Sequence, residues 1–479
     1  MYKDASIAEV AQAMQRSAIA FKSFSQLSRA ARANLMRSIA KEIEALGEEL
    51  IQTTMRETHL PEARLKGERA RTLFQLNSYA DACEKGDWLE ARITTAIPDR
   101  VPPRPDIRKM LVPMGPVVVF GSSNFPYAYS TAGGDTVSAL AAGCTVVVKA
   151  HPAHPETSEL VAGAILKALH SLGLPEDIFI HLHGASHAVG EALVKNEHAK
   201  AVGFTGSYSG GMALFNWANQ RKEPIPVFAE MGSVNPVFLF NEKLSTDTDG
   251  IAKMYADSIT LGVGQFCTNP GIIVGLEGGA LQSFVQSLGE KMAGIQVGSM
   301  LHTGITEAYQ QKSAAALAQP QIQNISNTIA PQPILAAVSA KAFLSNPMLH
   351  QEVFGPFSLV VSCSDIVEMQ AVADAVEGQL TCTVMATEAE IRSHAELLQT
   401  IQGKCGRIIF NGVPTGVEVC HAMQHGGPFP SSTDARYGSV GPDAIKRFAR
   451  PLAFQNFPDA LLPDELKEAN PLQVNRTTE

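Results

Sequence analysis

Cysteine is scarce in this chain of 479 residues: there are seven, an odd number, with no CxxC pair and no regular framework. That excludes a disulfide scaffold and argues for free thiols in a reducing compartment. Positive charge is also short. Lys and Arg number 38 against 47 Asp and Glu, a net charge of −9, and no basic block is long enough to neutralise a phosphate backbone. Nucleic acid is therefore not an expected partner. Long apolar runs are missing too: stretches such as VSALAAGCTVVVKAHP are broken by Gly, Pro or charge, so no membrane span is expected. The start, MYKDASIAEVAQAMQ, lacks the charged end, apolar run and cleavage site of a secretory signal, and the chain reads as soluble and cytoplasmic.

Apolar residues make up 45% of the chain, more than one compact core usually holds at this length, so two or three subdomains are expected. The first 60 residues read as helix. Ser6 and Glu9 form a capping box, Ile7, Val10, Met14 and Phe21 share one face, and a second run carries Leu35, Ile39, Leu46 and Leu50. Prolines cluster between Asp87 and Pro116, which predicts an extended crossing segment or interface ribbon. From Pro116, short β-branched runs alternate with helical stretches: VVVF, TVVVK, IFIHLH, AVGFTG, PVFAE and PVFLF. That alternation predicts right-handed crossovers and a parallel sheet covered on both faces, with ligands at the carboxyl ends of the strands. After Asn241 the pattern resumes more loosely through IIVGL, FSLVV and RIIFNG, as in a second α/β subdomain, and the Pro-rich tail carries one short alternating strand.

Four features lie at strand ends or in loops, where function concentrates. Cys267 stands in GVGQFCTNPG, a glycine-lined turn that lets a substrate approach the thiol; a buried, inert cysteine is the competing reading. Glu230 ends the strand PVFAE. It is either a ribose-gripping acid, at close to the dinucleotide fingerprint spacing after Gly206, or a general base, and spacing alone does not choose. GFTGSYSGG (203–211) runs from a strand into a glycine-rich helix start that suits a phosphate, although a simple tight turn has the same look. Asn124 and Lys149 close two further strands, where a lysine often only extends its amine to water. HPAHP and HLHGASH lack Cys or acidic partners at metal-binding spacing, so no metal is expected.

Six segments in order, FGSSNFP, VVVKAHPAHP, GFTGS, AEMGSVNP, GQFCTNPG and QEVFGP, resemble the aldehyde dehydrogenase superfamily, and their wording is most similar to its α-ketoglutaric semialdehyde (2,5-dioxopentanoate) dehydrogenase branch. The resemblance implies an α/β fold of two parallel-sheet, Rossmann-like domains plus a small β oligomerisation flap. Its segments would be 1–94 and 114–230 for the cofactor, 231–445 for catalysis, and 95–113 with 446–479 for the flap and arm. It implies Cys267 as nucleophile, Asn124 as oxyanion donor and Glu230 as the base that activates water. Lys149 would join the catalytic set and, with His151, Gly206, Ser207, Gly211, Glu352 and Phe354, line a site for NADP or NAD. Pro152 stands where NAD-preferring relatives carry a glutamate, and with that acid absent and His151 and His154 nearby a 2′-phosphate is expected to be tolerated. Ser233 replaces a glycine common at that place, and the start is shorter by an initial strand. The implied reaction is oxidation of a small aldehyde to its acid by a homodimer or homotetramer. A broad-specificity or fatty aldehyde dehydrogenase, a CoA-acylating enzyme and a non-enzymatic family member are the alternatives.

Overall fold

The computed structural model describes residues 2–479; Met1, the first residue of the expected cofactor segment, lies outside them. Helix α1 (Ile7–Phe24) starts at the expected capping box, with Ser6 Oγ accepting from Glu9 N and the Glu9 carboxylate accepting from Ser6 N. Val10, Ala13 and Met14 are buried, whereas Ile7, expected on the same face, is exposed in the first turn. Helices α2 (Arg29–Ala45), α3 (Gly47–Thr58) and α4 (Glu62–Lys85) follow. Gly86 ends α4 at φ 81°, a left-handed position that suits glycine.

The proline-rich stretch forms strands β1 (Arg92–Thr94) and β2 (Ile107–Pro113). Next come β3 (Val117–Phe120), β4 (Val146–Lys149), β5 (Phe179–Leu182), β6 (Ala201–Thr205) and β7 (Val227–Glu230). They form a wholly parallel sheet of order β5-β4-β3-β6-β7. Helices α5 (Gly134–Ala142), α6 (Pro155–Ser171), α7 (His187–Lys195) and α8 (Tyr208–Asn219) make its crossovers. The unbroken VVVF run is explained by two-sided burial. Val117 and Val119 enter the core shared with α2, α4 and α6, while Val118 and Phe120 enter the core shared with α1 and α7.

A second sheet holds β8 (Val237–Leu239), β9 (Ile272–Leu276), β10 (Gln323–Asn324), β11 (Ile334–Ser339), β12 (Phe357–Cys363), β13 (Gln379–Met385) and β14 (Cys405–Phe410). Its order is β10-β11-β12-β9-β8-β13-β14, parallel except for the edge strand β10. Helices α9 (Asn241–Thr246) and α10 (Thr248–Thr260) separate β8 from β9. Strands β15 (Ala449–Gln455) and β16 (Thr477–Thr478) return to β2 and β1 in a four-stranded ribbon with β15 at one edge. No helix among the described residues is long and apolar enough to cross a membrane.

Candidate active site

The carboxyl end of β7 in the first sheet meets the loop before β9 in the second. Glu230, the last residue of β7, is 6% exposed; Cys267, in the loop between α10 and β9, is half-buried. A third group joins them. His425, 1% exposed in the long segment after β14, places Nε2 3.5 Å from Cys267 Sγ and 3.0 Å from Glu230 Oε1. Ser439 Oγ donates to Glu230 Oε2 at 3.1 Å. His425 belongs to none of the sequence motifs, HPAHP and HLHGASH included; the glycine pair that follows it is the one local signal of a tight approach.

Electrostatics divide the pair. Burial, and then the Glu230 charge, push the Cys267 thiol well above its ordinary value. Burial also acts to raise the Glu230 carboxyl, but the charge of His425 and hydrogen bonds from His425 and Ser439 outweigh it and hold the group below the usual carboxylate range. At neutral pH the resting site therefore holds a thiol beside a carboxylate.

The loop carrying Cys267 is strained and clamped. Gly262, Val263 and Gly264 are all left-handed, at φ 56°, 59° and 66°, and a β-branched residue there costs about 1–3 kcal/mol. A Cβ on Gly264 would lie 2.3 Å from the carbonyl carbon of Gly355, so two main chains touch at that point. Asn269 Nδ2 donates to Gly355 O at 3.0 Å, and Asn235 Nδ2 donates to Cys267 O at 2.8 Å. Ser233 Oγ lies 2.8 Å from Gln379 Oε1 and 3.0 Å from Asn235 Oδ1, while Gln379 Oε1 accepts from Val234 N and Asn235 N. The serine that departs from the family pattern thus belongs to the network that fixes the Cys267 carbonyl.

Asn124, in the loop after β3, donates from Nδ2 to Gln265 O at 3.1 Å, beside the Cys267 loop. Glu352 faces Ser233 N at 3.5 Å, and a Cβ on Gly232 would meet its Oε2 at 2.5 Å; burial pushes its carboxyl up to about 6. Phe354 shares that loop, and a cavity is lined by Ser233, Phe266, Asn269, Glu352 and Phe354. Gly206 N donates to Glu230 O at 3.0 Å, and Ser207 caps α8 by accepting from Gly210 N. Gly211 packs where a Cβ would meet Met231 Sδ at 2.6 Å. The exposed start of α8 offers free N–H groups to an anion.

Lys149 does not join this cluster. Two strands separate β4 from β7, about 14 Å at normal strand spacing. Its Nζ donates to Ala150 O at 3.2 Å, and burial lowers it to about 8. His151 accepts from Ala153 N at Nδ1, and burial, followed by repulsion from His154 and Lys149, holds it well below its ordinary value, so it is a neutral hydrogen-bonding group. His154 is fully buried with Nε2 on Ser122 O. Neither histidine supplies positive charge for a phosphate. For metal, Glu159 brings to His181 and His183 the acidic partner that sequence spacing hid, with the three ligand-type atoms within 4.8 Å of one another; Glu230, Cys267 and His425 converge equally closely.

A model of the aldehyde dehydrogenase family matches residues 1–450. The chain is 48% identical over 476 residues to alpha-ketoglutaric semialdehyde dehydrogenase 2 of Azospirillum brasilense, covering 98% of this chain and 91% of that protein. It is 45% identical over 484 residues to alpha-ketoglutaric semialdehyde dehydrogenase of Acinetobacter baylyi, with coverages of 99% and 92%. The fold is similar to that of glyceraldehyde-3-phosphate dehydrogenase GapN from Methanocaldococcus jannaschii, solved with NADP, at a TM-score of 0.80 and 19% identity over 95% of both chains.

Proposed function

This chain belongs to the aldehyde dehydrogenase family, and from that premise we propose that it oxidises 2,5-dioxopentanoate to 2-oxoglutarate with NADP or NAD. The carrying observation is the convergence of Cys267, His425 and Glu230 beside Asn124 at the junction of the two sheets. Cys267 attacks the aldehyde carbon and gives up its proton to the adjacent Glu230 carboxylate, to which the thiol is hydrogen-bonded and which passes it to solvent before hydrolysis, while His425 Nε2–H, 3.5 Å from Sγ and 3.0 Å from Oε1, stabilises the developing anion. The oxyanion of the resulting hemithioacetal is held by Asn124 Nδ2 and the main-chain N–H of Cys267, a donor of this kind being worth about 3–4 kcal/mol. NAD(P), when bound, supplies the acceptor for hydride. Glu230, ionised through the neutral range, then takes a proton from the water that hydrolyses the thioester.

Residues 1–94 and 114–230 form the cofactor domain in this reading, and 231–445 the catalytic domain. Gly206, Ser207 and Gly211 receive the pyrophosphate, Lys149 and Glu352 hold the riboses, His151 lines the cofactor site beside Lys149, and Phe354 packs beside the nicotinamide. Tolerance of a 2′-phosphate rests on the absence of an acid at Pro152 and on Lys149. Segments 95–113 and 446–479 mediate homodimer or homotetramer contacts, for which the open edge of β15, with Arg450, Pro451, Ala453 and Gln455 exposed, is suited.

The test is reduction of NADP and NAD with 2,5-dioxopentanoate, succinic semialdehyde, hexanal and a long-chain aldehyde, on wild type and Cys267→Ala. Preference for 2,5-dioxopentanoate that vanishes in the variant is the expected result. Preference for the uncharged aldehydes would favour the broad or fatty-aldehyde reading, which the aromatic contacts of Phe125 with Phe266 and Tyr129 also suit.

A further inference from the structure

Three guanidinium groups surround the aromatic wall beside Cys267. Among the described residues none of them has a carboxylate within 4.0 Å. Arg71, on α4, donates from Nη2 to Tyr129 Oη at 3.0 Å, with Cζ 5.4 Å from the ring centroid, and its Nε is buried without an acceptor. Arg407, on β14, donates from its two Nη atoms to the carbonyls of Pro414 and Gly416, and its Nε is also buried without an acceptor. Glu68, one turn before Arg71, makes no contact with it within 4.0 Å; its Oε1 accepts from Tyr127 N and Ala128 N, its Oε2 is buried without a partner, and its charge acts on Arg64 and Arg71 from beyond contact. Tyr129, between these groups and the centre, has its ring 6.0 Å from that of His425, and the Cys267 thiol feels both positive charges.

A buried N–H without an acceptor is a standing cost, and such groups on three cations, Arg64 Nη1, Arg71 Nε and Arg407 Nε, with one buried carboxylate, Glu68, beside two of them, favour a further anion at the site. We propose that Arg71 and Arg407 form the subsite that takes the distal carboxylate of an ω-aldehyde acid while its aldehyde carbon lies at Cys267. The inference rests on the aldehyde-oxidation reading and deepens it. A neutral aldehyde of equal length leaves both donors unpaired, so selectivity for acids comes from the unmet donors as much as from the ion pair itself. Arg64 Nη1 is likewise buried without an acceptor, but its other Nη is committed to the wall. It donates from Nη2 to Asn124 O at 2.5 Å and lies 4.8 and 4.9 Å from the rings of Phe125 and Phe266, which makes it a positioning residue for the wall and for Asn124.

The experiment compares kcat/KM for 2,5-dioxopentanoate and succinic semialdehyde with that for pentanal and butanal in wild type, Arg71→Gln, Arg71→Lys and Tyr129→Phe. Arg71→Gln is expected to lose about 30- to 100-fold more on the two acids than on the neutral aldehydes, mainly through KM, over a smaller loss common to all substrates from the positive charge withdrawn from Cys267. Arg71→Lys should recover part of the loss, since it keeps the charge without the fork. Tyr129→Phe should keep the preference for acids. Equal losses on acids and neutral aldehydes, or a Tyr129→Phe variant that reproduces Arg71→Gln, would overturn the subsite. Glutarate protection of Cys267 against alkylation needs no turnover; it should be weakened by Arg71→Gln, and protection unchanged in that variant would also overturn the proposal. A wild type that oxidises no aldehyde would sink the dehydrogenase reading, while glutarate protection would still decide the subsite.

Discussion

Replacing His425 with Phe removes both ring nitrogens while keeping a ring against Tyr129, so packing changes less than chemistry. Two interactions go at once: the 3.5 Å approach to Cys267 Sγ and the 3.0 Å approach to Glu230 Oε1. The thiol, already held above its ordinary value by burial and by Glu230, loses the N–H that stabilises its anion, and Glu230 loses the partner that holds its carboxyl down. A positioned acid–base group contributes about a hundredfold to ten-thousandfold. The donor here sits at long hydrogen-bond range from Sγ, so the lower half applies: kcat/KM near neutral pH should fall about a hundredfold to a thousandfold, or about 3–4 kcal/mol at 1.36 kcal/mol per tenfold. Alkylation of Cys267 by iodoacetamide, followed against pH, isolates the thiol from later steps. Both proteins should react mainly in the alkaline range, as the raised thiol requires, with the His425→Phe profile displaced further toward high pH. Superimposable alkylation profiles would refute the argument, and a loss confined to thioester hydrolysis would place His425 behind Glu230 rather than behind the thiol.

Glu230→Gln should give a burst near one reduced cofactor per site and then stall, with a thioester on Cys267 detectable by mass after acid quench. Glu230 has a folded-state value below its ordinary one, so its charge stabilises the fold above the ordinary value and that contribution is lost as pH falls through the lowered one; wild type should lose Tm toward acid more steeply than Glu230→Gln. Gln379→Ala strips the acceptor shared by Ser233, Val234 and Asn235 and should cost about 2–3 kcal/mol, read as a lower denaturation midpoint, with activity falling further than stability alone explains. Lys149 loses its proton near 8, so the KM for NADP should rise above that pH more than the KM for NAD, and Lys149→Met should flatten the difference.

Much of the first sheet was legible because its strands are continuous β-branched runs bounded by Gly, Pro and charge, and burial on both faces demands such runs. β11 and β13 were not foreseen. ILAAVS is rich in alanine, and QLTCTVM carries Gln379, Thr381 and Thr383 into the core, where the first two bond Ser233 and Asn235 rather than mark a surface. Asn124, Glu230 and Cys267 were accessible to sequence reading because each ends a strand or sits among glycines. His425, Arg71 and Arg407 were not. His425 lies in an irregular segment placed by tertiary contact alone, the two arginines lie within regular elements, and one-dimensional spacing carries no information about which groups end up sharing Tyr129.

The proposed cycle makes opposed demands on one carboxylate. Glu230 must be ionised to activate water late in the reaction, yet its charge keeps the nucleophile protonated at the start. Distance cannot resolve this, since both groups must reach the same carbon. A third group can: the protonated His425 Nε2 reaches Glu230 Oε1 at 3.0 Å and Sγ at 3.5 Å, so it favours the anionic form of whichever of the two carries the charge at each step. The sequence of steps then depends on Sγ staying in register with Nε2, and side-chain packing alone is a poor guarantee for a half-buried thiol. The left-handed run 262–264 and its main-chain contact with Gly355, together with the Asn235 bond to Cys267 O, supply that guarantee from the backbone. Strain at Val263 is thus tolerable because releasing it would require separating the Cys267 loop from the loop that carries Glu352, the two sides of one site.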